Sequence, residues 1–218
     1  MTHASPEMQA YYAARATYYD AVYLKPERQD DIAFLKEHLP DRLAGRHVLE
    51  VACGTGYWTQ HIAPRAAAMV ATDGTAQPLD FAQQRPGVGN VTFRQVDAYV
   101  LGDNLGTFDA AFAGLWFSHV PVQARTAFLQ GLHARLAPGA RVLFIDNNEV
   151  QCRDFPITER DEAGNTYQHR QLRDGSVHRV LKNFPSEQAL QELLAPCACR
   201  LHWRNLQNFW LLEYELAA

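Results

Sequence analysis

Val48-Leu49-Glu50-Val51-Ala52-Cys53-Gly54-Thr55-Gly56 is an apolar, strand-forming run that enters a glycine-rich turn, with helix-compatible sequence after it. Gly54 and Gly56 have no side chain and accept positive φ, so the chain here can approach a ligand closely at the start of a helix. Such a turn suits any nucleotide-like ligand, and its neighbours must choose among them. A dinucleotide fingerprint wants a third glycine at position 59, where helix and strand pack beside a pyrophosphate, but Thr59 stands there. Glu50 ends the strand with a negative charge that repels a pyrophosphate and serves a cationic ligand directly or through water.

Working outward, β-rich runs alternate with helical ones, the pattern of a parallel sheet covered by helices. Strands are expected at 46–51, 68–73, 91–96, 107–113 and 140–146, and helices at 56–65, 75–85 and 121–137, the last closed by Pro138-Gly139. Before Arg46, the residues Tyr11, Tyr12, Arg15, Tyr18, Tyr19, Val22 and Tyr23 recur at helical spacing and form an aromatic face that needs something to cover. After Asp146, the runs 166–172 and 176–182 flank Asp174-Gly175, a favoured turn pair, which predicts a β-hairpin inserted over the site. A helix over 186–194 and strands over 198–205 and 208–216 close the chain.

The 218 residues are 47% hydrophobic with a formal charge of −4, which predicts one sizeable core and no broad basic face for nucleic acid. The expected plan is a single domain over 1–218, divided into a helical lid (1–45), a cofactor-binding half (46–146), an inserted hairpin (147–185) and a C-terminal helix with strands (186–218). No run approaches the ~20 apolar residues of a membrane span, and no basic, apolar leader opens the sequence, so a cytoplasmic protein without membrane partners is expected. Cys53, Cys152, Cys197 and Cys199 form no CxxC pair and favour neither disulfides nor zinc.

The segment Glu50–Gly56 resembles motif I of the class I S-adenosylmethionine-dependent methyltransferases, small-molecule type, and further matches follow in order. Asp73 ends Val70-Ala71-Thr72-Asp73-Gly74, where the family sets an acid on the ribose hydroxyls. Asp97 ends Gln95-Val96-Asp97-Ala98, where an acid and the next N–H read the adenine. Phe108–Phe112 and Leu136–Ala140 match the fourth strand and the turn before the fifth. The resemblance implies a Rossmann-like α/β fold whose seven-stranded, mostly parallel sheet ends in an antiparallel hairpin. It places S-adenosylmethionine against Glu50, Ala52, Gly54, Gly56, Asp73, Gly74, Asp97, Ala98 and Leu115. Tyr19-Asp20 resembles the Tyr-Asp pair of an N-terminal helix that closes over the cofactor, which adds Tyr11, Arg15 and Tyr19. Helix capping by Asp73 and Asp97, and a snorkelling Arg15, are the competing structural roles.

Gly114-Leu115-Trp116-Phe117-Ser118-His119-Val120-Pro121 lacks the Asn/Asp-Pro-Pro-aromatic motif of methyltransferases acting on base amines or glutamine amides. A small-molecule acceptor attacking through oxygen or nitrogen is expected, with the protein a monomer or homodimer. His119 is the first candidate base, against capping or packing under the lid. Asp146 and Asn147 are candidates for orienting the acceptor, against simple turn chemistry. No carboxylate stands at 115–118, so no metal is expected. Tyr167, His169, Arg170, Arg173, His178 and Arg179 of the hairpin compete as pocket lining or solvated ribbon, and alternation lets at most half face inward. An NAD-linked oxidoreductase, a non-catalytic cofactor-binding protein and non-methylating chemistry on the same cofactor remain alternatives.

Overall fold

In the computed structural model, which describes residues 6–217, strands β1 (His47–Val51), β2 (Ala68–Asp73), β3 (Val91–Gln95), β4 (Phe108–Gly114) and β5 (Leu136–Asn147) run parallel. With the C-terminal strands β9 (Ala198–Asn205) and β10 (Phe209–Leu216) they form a seven-stranded sheet of order β3-β2-β1-β4-β5-β10-β9. The last two strands run antiparallel, as expected. Residues 1–5 and 218, the ends of the expected lid and C-terminal segments, lie outside the described residues.

Period-two alternation splits the strands' side chains between two cores. Val48, Ala110, Phe112, Leu143 and Ile145 face one side, against Ile32, Leu35 and Leu39 of helix α2 (Gln29–Arg42). Leu49, Val51, Ala111, Val142 and Phe144 face the other, against Phe128 and Leu132 of α5 (Arg125–His133) and Leu190 of α6 (Glu187–Leu194). Helix α2 is therefore part of a sheet-covering layer, although it falls in the segment expected to be lid. Among the described residues no helix is long and apolar enough to cross a membrane.

Several expected boundaries move. The helix after the glycine turn shortens from 56–65 to α3 (Thr59–Ile62), because the turn occupies the chain through Gly56 and Pro64 has no N–H to continue the ladder. The helix expected over 75–85 is α4 (Ala76–Ala82). The helix expected over 121–137 is a 3₁₀ turn (Val122–Ala124) followed by α5, and it ends at His133. Leu136 already pairs with Phe108, and Pro138-Gly139 forms an irregularity inside β5 instead of a helix stop, with Gly139 at φ +75°.

The aromatic N-terminal segment is also broken. Helix α1 (Pro6–Arg15) passes into a 3₁₀ stretch (Ala16–Tyr23) through a kink where Tyr18 takes φ −134°. The insertion forms the expected hairpin, β7 (Thr166–Gln171) and β8 (Val177–Leu181), with a short third strand, β6 (Glu159–Arg160). Met8 and Tyr11 of α1 bury against Leu172, Val180 and Leu181, so lid helix and hairpin share one small core above the strand ends.

Candidate active site

The order β3-β2-β1-β4-β5 reverses direction between β1 and β4, and the carboxyl ends of strands at such a point leave a crevice. The turns that follow the strands line it: Ala52, Gly54 and Thr55 after β1, Asp73 to Thr75 after β2, Asp97 and Ala98 after β3, Gly114 to Trp116 after β4. Tyr12, Ala16, Tyr19 and His119 close it from the lid and β4 sides.

The backbone is strained where it meets this crevice. Ala52 (φ +55°) and Leu115 (φ +58°) sit in the left-handed region that non-glycine residues avoid, at the ends of the two switch-point strands. Gly54 takes φ +56°, and a Cβ there would meet nothing within 4 Å, so its missing side chain leaves open space. Gly56 differs: a Cβ on it would lie 2.9 Å from Cα and Cβ of Ala82. That glycine admits α4 and does not line the crevice. Gly56→Ala, at φ +73°, is expected to lose about 2–4 kcal/mol from left-handed strain and overpacking, read as a shifted urea midpoint.

Asp73 organises the loop. Its Oδ2 accepts the Gly54 N–H at 2.9 Å, and its Oδ1 accepts the Thr75 N–H at 2.9 Å and hydroxyl at 2.8 Å. Four lone-pair directions leave one on Oδ2 open to a ligand. Burial raises its pKa, against the pull of these donors. Glu50 lies outside the lining. It is 1% exposed, accepts the Thr59 hydroxyl at 2.6 Å, and burial pushes it up to about 8. Any contact it makes with a ligand is therefore indirect, and Thr59, the residue in place of the third glycine, is its partner.

Asp20 latches the lid onto the glycine turn: it accepts the Thr55 hydroxyl at 2.7 Å and pairs with Arg85. Tyr19 and Tyr12 present rings 6.0 Å apart to the crevice. Tyr11 and Arg15 do not line it. Arg15 donates to the Tyr11 hydroxyl at 2.8 Å and lines a second cavity, which shares Tyr12, Tyr19, Leu115 and His119 with the first.

His119 is buried between the two cavities with both nitrogens engaged. Nδ1 lies 2.5 Å from the Leu181 carbonyl, which only an N–H can satisfy, so Nε2 accepts the Tyr12 hydroxyl at 2.7 Å. Burial lowers its pKa to about 3, and Lys182 adds to the shift against Asp146. Asp146 does not line either cavity. It holds Lys182 at 2.7 Å and accepts the Ser118 N–H at 2.9 Å. Asn147 does line the second cavity, and its buried Nδ2 has no partner. Of the hairpin candidates, Arg170 faces inward, while His169 is exposed and Arg179 pairs with Glu159 at 2.7 Å. Arg28, Gln151 and Lys182 also line this cavity and had no signal in local sequence.

Residues 48–139 match a family model described as a methyltransferase domain. The chain is 34% identical over 117 residues to a ubiquinone biosynthesis O-methyltransferase of Azotobacter vinelandii, covering 52% of this chain and 48% of that protein. It spans about half the length of the first curated relatives it matches. Similarity to solved structures is longer: DhpI in complex with SAM and HEP is 33% identical, covers 98% of this chain and 99% of its own, and superposes with a TM-score of 0.78. The N-methyltransferase NodS from Bradyrhizobium japonicum WM9, at 15% identity and TM-score 0.68, shares the fold. A motif loop, an ordered set of strand-end acids and a relative aligned over nearly the whole chain agree: this protein belongs to the class I S-adenosylmethionine-dependent methyltransferases.

Proposed function

We propose that the chain transfers the methyl group of S-adenosylmethionine to an oxygen or nitrogen of a small-molecule acceptor. The observation that carries this reading is the adjacency of two cavities, one lined by the glycine turn and strand-end acids and the other by polar side chains, with Tyr12, Tyr19, Leu115 and His119 common to both. The first fits the cofactor: Gly54 leaves room for a close approach, Asp73 keeps a lone pair for a ribose hydroxyl, and Asp97 with the Ala98 N–H stands at the third strand end for the adenine. Glu50, behind the turn, contributes a negative charge when ionised.

When bound, S-adenosylmethionine supplies an electrophilic methyl carbon on a cationic sulfur that leaves as a neutral thioether. The protein's task is then to hold the acceptor in line and exclude water. Tyr12 and Tyr19 offer aromatic faces to a cation, and the Asp20 latch holds the lid over them. His119, the candidate base, has its Nε2 lone pair occupied by Tyr12 and positions that hydroxyl in this arrangement. The buried ring stays neutral across the physiological range. Activity is therefore expected to show no His119 inflexion between pH 5 and 8, and an acid limb near 6.5 that disappears in His119→Asn would overturn this assignment.

Calorimetric titration with S-adenosylhomocysteine and with NAD tests the cofactor, and transfer of labelled methyl over an acceptor panel tests the reaction. NAD binding without S-adenosylhomocysteine binding supports an oxidoreductase. Cofactor binding without any labelled product supports a binding protein or non-methylating chemistry.

A further inference from the structure

The second cavity, of about 160 Å³, is lined by five cationic side chains, Arg15, Lys25, Arg28, Arg170 and Lys182, and by no carboxylate. Two of the five have counterions. Lys25 pairs with Asp154 at 2.5 Å, and Lys182 with Asp146 at 2.7 Å. Among the described residues Arg15, Arg28 and Arg170 have no carboxylate within 4.0 Å.

Two of these unpaired guanidinium groups are almost fully enclosed, Arg28 at 3% and Arg170 at 4% exposure, where an uncompensated charge is costly. Their partners are neutral. Arg28 donates to the Val22 carbonyl at 3.3 Å and its buried Nε has none. Arg170 donates to Gln168 Oε1 at 2.6 and 3.1 Å and lies over the Phe155 ring. Asn147 points the same way: Oδ1 accepts from Gln151 at 2.8 Å and Lys182 at 3.3 Å, which fixes the amide and leaves Nδ2 as a buried donor without an acceptor. Burial, with Arg170 and Arg28 against Asp146, also drives Lys182 down to about 8, as expected where positive charge is in excess.

We propose that this cavity binds the methyl acceptor through a dianionic phosphoryl group, held by Arg15, Arg28 and Arg170 with the Asn147 amide. Three uncompensated guanidinium groups exceed the single charge of a carboxylate and offer forked donors that match a tetrahedral oxyanion. That the ligand is an acceptor rests on the methyl-transfer reading; the anion site itself rests on the cations. The phosphoryl group enters either on an ester oxygen or on carbon, two sources with the same recognition chemistry.

The test is calorimetric titration of the whole chain at pH 8, with and without saturating S-adenosylhomocysteine, using methyl phosphate, methylphosphonate, acetate and acetamide. At least one phosphoryl probe is expected to bind about tenfold or more tighter than acetate and to weaken with added salt, and acetamide is expected not to bind. The stronger of methyl phosphate and methylphosphonate identifies the source. Arg170→Ala is expected to abolish phosphoryl binding, and Arg170→Lys, which keeps the charge and loses the fork, to restore part of it. Acetate binding as tightly as either phosphoryl probe, or binding indifferent to salt, overturns the assignment even if no variant folds. Failure of S-adenosylhomocysteine to bind while a phosphoryl probe binds would sink the methyl-transfer reading and leave the anion site standing.

Discussion

Asp146→Ala is expected to lose about 3–5 kcal/mol of folding stability, because it strands a buried ammonium without its counterion. Lys182 is 1% exposed and Asp146 fully buried. Asp146 also accepts the N–H groups of Ser118 and Asn147 at 2.9 and 2.8 Å, while Lys182 donates to the Ser118 hydroxyl at 2.7 Å. The pair thus ties the end of β5 to the chain leaving β8 and holds the inserted hairpin on the sheet. Burial works to raise the Asp146 pKa, but Lys182 and the other donors overcome it and hold the carboxyl below 3.8. Its stability contribution is therefore complete above pH ~4 and lost as pH falls through the lower folded value. Lys182 is shifted down by its burial, so the pair is asymmetric: the carboxylate is well served and the ammonium is not. Urea unfolding at pH 7 should show Asp146→Ala as severely destabilised and Asp146→Asn/Lys182→Met as much closer to the parent, since removing both charges removes the stranded one. A single variant within about 1 kcal/mol of the parent would contradict a charged pair.

That pair shows where local sequence stops being informative. The crevice at the strand ends was legible because its determinants are local: a strand running into a glycine turn at fixed spacing, and the acids Asp73 and Asp97 after the next two strands. Glu50, read as a ligand-facing acid, is instead buried behind the turn. The parallel strands follow from the alternation of strand and helix, and the seven-stranded plan with its antiparallel end from the family resemblance, while the strand order itself is read from the structure. Lys182 and Arg28 are different. Each reads as an ordinary solvated charge in its own segment, and only the stacking of lid, β5 and hairpin encloses them with Arg170, one of the six hairpin residues that competed as pocket lining or solvated ribbon. Alternation in β7 limited the inward residues to half, and the structure selects Thr166, Gln168 and Arg170 as buried. Asp146 looked like an acceptor-facing acid at a strand end, whereas its partner 36 residues away turns it into a structural ion. Pro138-Gly139 misplaced a boundary for a related reason. Its local signal stops a helix, but the pairing of Leu136 with Phe108 draws the preceding residues into β5.

Asp73→Asn is expected to weaken S-adenosylhomocysteine binding about 100-fold, the largest effect of a single change in the cofactor crevice. The carboxylate has two duties there. It already accepts three hydrogen bonds that shape the glycine turn, and on the proposed reading its remaining Oδ2 lone pair takes a ribose hydroxyl. An amide keeps one oxygen and turns an NH₂ toward either the Gly54 N–H or the Thr75 donors, so donor faces donor and the turn must open. A charged hydrogen bond to the ligand is lost in the same step, and together these account for roughly 2.7 kcal/mol. Asp97→Asn is expected to cost less, about tenfold, because on the proposed reading its carboxyl serves a single edge of the adenine, and its loss leaves the glycine turn intact. Titration of both variants with S-adenosylhomocysteine, alongside urea unfolding to separate affinity from stability, checks the order. If Asp73→Asn binds within about threefold of the parent, the carboxylate serves the turn alone and the ribose contact must come from another residue of the crevice.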